Sequence, residues 1–68
     1  MPYVLVQLIE GRSAEAKKKI AEDITASLET HANARPEDTY VVFQDVKADD
    51  WLIAGKTVAE RRRERNEG

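Results

Sequence analysis

A proline stands directly behind the first methionine, and its amine is the most reactive group the chain could present. Removal of Met1, the usual processing before a small second residue, would leave Pro2 with a free secondary amine. Such an amine is both nucleophile and base. An apolar pocket or a nearby cation disfavours its charged form, and the neutral amine can then take a proton from carbon. If Met1 stays, Pro2 is an amide and this chemistry vanishes. Arg12 is a second candidate, because a guanidinium can grip a carboxylate with two parallel hydrogen bonds. On position alone, Pro2 is the residue after the start and Arg12 an exposed loop arginine. The other chemistry-bearing residues read more simply. His31 is the only imidazole and falls at a helix end, where its cation suits the dipole. Arg61-Arg62-Arg63-Glu64-Arg65 is short, broken by acid and free of aromatics, so it reads as a solvated tail. Asp49 and Asp50 read as turn residues. Without cysteine there is no disulfide or thiolate chemistry, and one histidine cannot build a multi-histidine metal site. No metal is expected.

The elements that must position Pro2 and Arg12 are legible from pattern. Tyr3 to Ile9 is β-branched, aromatic or aliphatic apart from Gln7, which predicts a strand apolar on both faces. Glu10-Gly11-Arg12 interrupts it. Ser13 suits an N-cap, and Ala16, Ile20, Ile24 and Leu28 recur at helical spacing through Ala32, with Lys17, Lys18, Glu22 and Glu29 on other faces. Asn33 suits the C-terminal cap. Arg35 to Asp38 is a connector, with Pro36 blocking the helix. Thr39 to Val46 is a second two-faced strand, Lys47 to Asp50 a polar turn, and Trp51 to Val58 a short hairpin. Residues 59–68 form a charged tail, a frayed helix or disordered. Strand, long helix and strand predict an α/β fold, a β-α-β unit with parallel strands and a right-handed crossover, followed by the small hairpin.

Sixty-eight residues allow one domain, spanning 1–68, with a thin core. With disulfides excluded and no metal expected, oligomerisation remains the natural remedy. The helix covers one face of the sheet and nothing in the chain covers the other, so a further subunit should. Eleven basic residues against thirteen acidic ones argue against a dedicated nucleic-acid binder. No apolar run approaches the roughly 20 residues of a membrane span, and no signal peptide is visible, so a cytoplasmic protein is expected.

Pro2, an apolar strand, Glu10-Gly11-Arg12-Ser13 opening a helix, a second strand and a late aromatic followed by Gly55 together resemble the 4-oxalocrotonate tautomerase family. The resemblance spans about residues 2 to 58. It implies that Pro2, freed of Met1, is a general base moving a proton between enol oxygen and carbon. It implies that Arg12 holds a substrate carboxylate and that Trp51 makes the pocket apolar, keeping the proline amine neutral. It also implies a homo-oligomer, a hexamer built as a trimer of dimers, with each site drawn from more than one subunit. One position departs from the pattern. Where such tautomerases carry a second arginine in the second strand, this chain has Tyr40, a neutral hydrogen-bond donor. Losing a charge-assisted contact costs about 1.5–3 kcal/mol, or roughly one to two decades in rate. The dicarboxylate dienol typical of the family is therefore in doubt. Either Tyr40 serves a different substrate, or Arg35 reaches the site from the connector; Tyr40 reads equally well as a packing aromatic.

The expected activity is a cofactor-independent keto–enol tautomerase acting on a 2-oxo acid, an isomerase whose partner is a small carboxylate substrate. Two rivals stand beside it. The same scaffold could hydrate or dehalogenate an unsaturated acid, although no acidic residue is matched to that role. Or the unit is a non-catalytic oligomerising module in which Pro2 is incidental.

Overall fold

A computed structural model describes residues 1–67. Strand β1 (Tyr3–Ile9) and strand β2 (Tyr40–Val46) run parallel, joined by helix α1 (Ala14–Ala32). A two-residue hairpin, β3 (Leu52–Ile53) and β4 (Lys56–Thr57), follows, then helix α2 (Val58–Glu67). The expected β-α-β unit with its small hairpin is therefore present. The connector and the polar turn each tighten into a single 3₁₀ turn, Pro36–Asp38 and Ala48–Asp50.

Local chemistry sets the ends of α1. Ser13 Oγ accepts from the Ala16 N–H at 3.0 Å, satisfying one of the helix's orphan donors. Asn33 adopts a left-handed conformation (φ 54°), and its N–H turns back to the Leu28 carbonyl. Gly11 precedes the helix at φ 127°, a backbone that side chains disfavour, so the turn presenting Arg12 needs glycine there.

Packing is one-sided. Val4, Val6 and Leu8 of β1 and Val41 and Phe43 of β2 are half-buried, as are Ala16, Ile20, Ile24 and Leu28 of α1. Lys17 also turns inward, contrary to the outward face expected of it. Its ammonium lies 2.9 Å from Asp45 on β2, with only 24% of its side chain exposed. The long aliphatic stem lets lysine cover apolar surface while its head meets the carboxylate. The opposite face of the sheet is open. Tyr3, Leu5, Tyr40 and Val42 are exposed there, and register sets Tyr3 against Tyr40 and Leu5 against Val42. Gln7 and Gln44 close that face with a side-chain hydrogen bond of 2.7 Å.

No residue is fully buried among those described. The radius of gyration is 15.8 Å, where a compact chain of this length would have about 11 Å. The accessible surface is 5288 Å², against roughly 4,300 Å² for a folded monomer of this mass. This shape leaves apolar surface that the chain does not cover itself.

The charged tail is helical. Thr57 Oγ1 accepts from the Glu60 N–H at 3.0 Å, and Glu60 reaches back to the Thr57 N–H at 3.2 Å, a reciprocal capping box. Lys56 pairs with Glu64 at 2.8 Å. That hydrogen bond, and then the lysine's charge, hold the Glu64 carboxyl below its ordinary range. Gly68, the end of the expected tail, lies outside the described residues. Among the described residues, no helix is long and apolar enough to cross a membrane.

Candidate active site

Parallel pairing decides where the candidate residues fall. Because β1 and β2 run the same way, the residues that enter them share one end of the sheet. Pro2 and Tyr40 meet there, and the Tyr40 N–H donates to the Pro2 carbonyl at 2.9 Å. Pro2 is half-buried and Tyr40 is exposed. The hydrogen bond uses the proline's carbonyl; the proline nitrogen here is the amide of the Met1–Pro2 bond.

Arg35 joins them. An open cavity of about 510 Å³ is lined by Pro2, Arg35 and Asp38, together with Met1, Ala32 at the end of α1 and the Asn33 and Ala34 that follow it. The structure thus puts the connector arginine at the proline's cavity. It does not leave it unengaged. Arg35 Nη2 lies 3.3 Å from Glu37, and Nη1 lies 3.6 Å from Asp38. Sequence reasoning passed over these two carboxylates. The signal was present in Arg35-Pro36-Glu37-Asp38, because a proline opening a 3₁₀ turn folds acids two and three positions on back over the arginine.

Arg12 lies at the other end. Between it and Pro2 runs the whole of β1, seven residues, or about 23 Å of strand. Its Nη1 makes a long 3.4 Å contact to the Ile9 carbonyl, and its side chain is exposed. Trp51 follows β2 through the Ala48–Asp50 turn, so it leaves the sheet at the Arg12 end. It is half-buried, and its carbonyl accepts from the Val58 N–H at 2.8 Å. A second hollow, lined by Ile53, Val58, Arg61, Glu64 and Arg65, contains none of the candidate residues.

Within one chain, then, the set divides. Pro2, Tyr40 and Arg35 gather at the start of the strands, while Arg12 and Trp51 lie beyond their finish. A small substrate cannot span both ends of one copy.

Comparison with known proteins fits this architecture. The family of tautomerase enzymes matches residues 2–61. The probable tautomerase RSp1151 of Ralstonia nicotianae is 45% identical over 60 residues, covering 88% of this chain and 92% of the relative. Among solved structures, TomN, a 4-oxalocrotonate tautomerase homologue of the tomaymycin biosynthetic pathway, superposes with a TM-score of 0.88. It is 31% identical, with 91% of this chain and 95% of that one covered. The heterohexamer 4-oxalocrotonate tautomerase of Chloroflexus aurantiacus J-10-fl gives a TM-score of 0.83 at 25% identity, covering 88% of this chain and 97% of that one. By sequence and by fold, the chain belongs to the 4-oxalocrotonate tautomerase family of tautomerases, an isomerase class of enzyme.

Proposed function

We propose that the chain is a keto–enol tautomerase of a 2-oxo acid, with the amine of Pro2, freed of Met1, as general base. The observation that carries this reading is the place of Pro2: it lines a cavity at the entry end of the sheet, and the Tyr40 N–H holds it there through its carbonyl. The amine takes a proton from the enol oxygen and returns one to carbon. The substrate's carbonyl is its own electron sink, so the step draws on the chain's own side chains. Tyr40 donates a hydrogen bond to the substrate oxygen. Arg12 and Trp51 come from a neighbouring copy, the first holding the substrate carboxylate and the second excluding water.

The same reading requires an oligomer, and a homohexamer built as a trimer of dimers is the proposed form. Three features support it: the lack of any fully buried residue among those described, the exposed apolar face of the sheet and the division of the site residues. The relative from Chloroflexus aurantiacus, itself a heterohexamer, supports assembly of six chains of this kind.

The test is intact mass of the native-start protein, followed by phenylenolpyruvate ketonisation with Pro2→Ala as control. Mass should show Met1 removed. The variant should lose about two to four decades in kcat/KM, the usual contribution of a positioned acid–base group. Retained Met1, or activity indifferent to Pro2, would leave only the shared fold. Chloride release from a 3-haloacrylate outpacing ketonisation would replace tautomerisation with the hydratase reading.

A further inference from the structure

The geometry points to a charge lock beside Pro2: Glu37 and Asp38 hold Arg35 at the cavity, leave it net negative, and so restrict the site to 2-oxo monocarboxylates. This rests on the tautomerase reading above and adds the substrate class.

Three observations combine. The cavity shared by Pro2 and Asp38 has Arg35 as its basic side chain, so the charge available to a second anionic group is the arginine's. That arginine is already engaged, by Glu37 at 3.3 Å and Asp38 at 3.6 Å. One positive charge against two negative ones leaves the cluster at −1. Tyr40, whose N–H bonds the Pro2 carbonyl, is neutral and offers no compensating charge.

Arg35 and Glu37 are 71% and 68% exposed, so each pair is weak alone and the acids' advantage is their tether. The acids are tethered two and three residues from Arg35 in a turn that itself closes through the Asp38 N–H to the Arg35 carbonyl at 3.0 Å. A tethered partner competes at high effective concentration, so a free carboxylate must displace both. A substrate with one carboxylate never meets this competition, because the neighbouring copy's arginine at position 12 receives that group. A substrate with two must place the second against Asp38.

The experiment compares kcat/KM for ketonisation of phenylenolpyruvate, with one carboxylate, and 2-hydroxymuconate, with two. The protein is the native-start assembly, as wild type and as Glu37→Gln/Asp38→Asn. Wild type should prefer phenylenolpyruvate. The double variant should raise the ratio of 2-hydroxymuconate to phenylenolpyruvate turnover by up to about tenfold, chiefly through KM, a ratio in which any change that the lost charges make to the Pro2 amine itself cancels. Arg35→Gln leaves both acids unopposed and should move the ratio of the two substrates the opposite way. An unchanged ratio in both variants, or equal change on both substrates, would overturn the lock. Loss of turnover on both substrates with no dependence on Pro2 would instead overturn the tautomerase reading beneath it.

Discussion

The two ends of the β1–β2 sheet are built differently. At the entry end, backbone holds the site: Tyr40 is hydrogen-bonded to Pro2, and a tight turn folds Arg35 between its acids. At the exit end, Arg12 projects from a glycine-dependent turn with one long contact to its own strand. The first end presents a fixed proline and little free positive charge. The second presents free positive charge and no base. Their difference teaches that one copy holds the candidate residues in two separate groups, which the function proposed above would join across copies.

Breaking this comparison has its largest expected effect on activity. Pro2→Ala and Arg12→Ala should each be nearly inactive as pure assemblies. Unfolded together and reassembled as an equal mixture, they should recover about a quarter of wild-type activity, because a site drawing one residue from each of two copies is intact in that fraction of random pairings. Activity absent from the mixture would place both residues in one copy and defeat the reading of two half-sites.

The next largest effect is on assembly. Leu5→Asp puts an ionised group on the exposed apolar face, opposite Val42. If a neighbour covers that face, the charge has no partner there, and the variant should lose about 3 kcal/mol or more. Size-exclusion chromatography with circular dichroism should then show a small, poorly folded species. A fully assembled Leu5→Asp protein would show that this face stays in water.

The hairpin gives a smaller effect of opposite sign. Ala54 sits at φ 53° beside Gly55 at φ 81° in the two-residue loop between β3 and β4. A left-handed alanine is strained by about 1 kcal/mol, so Ala54→Gly should raise thermal stability slightly and leave the entry end untouched. A fall in melting temperature would show that alanine is favoured there by packing.

The smallest effect concerns pH. Glu64 is lowered in the folded chain by Lys56, so its contribution is complete above the ordinary carboxylate value. It is lost as pH falls through the lowered one. Helicity of α2 should drop on acidification in wild type and show no such step in Glu64→Gln. Identical acid profiles would detach the Lys56 contact from helix stability.

Much of this was legible in the residues. The two strands, the Ser13 and Asn33 caps and the parallel order follow from period, capping chemistry and crossover length. The tail reads as a frayed helix or as disorder, and the structure makes it a helix that starts one residue earlier, at Val58, which the hairpin reading claims. That concealed the Thr57-to-Glu60 capping box, whose residues are plain in the sequence. Lys17 was misplaced because charge suggests solvent, whereas a partner on β2 and a long stem favour the inward face. The separation of Pro2 from Arg12 was implicit in the parallel topology. Membership of one family puts both residues in one expected site, but only register and strand length show that a single copy holds them apart.

The absence of any fully buried residue among those described has a consequence for dosage. If the chain becomes whole only on meeting its own copies, as proposed above, folding and encounter are one event. Output then rises more steeply than in proportion to expression, because each further copy finishes sites on its neighbours. A cell that halves synthesis of such a chain loses more than half of its catalyst, and recovers it as abruptly when synthesis resumes.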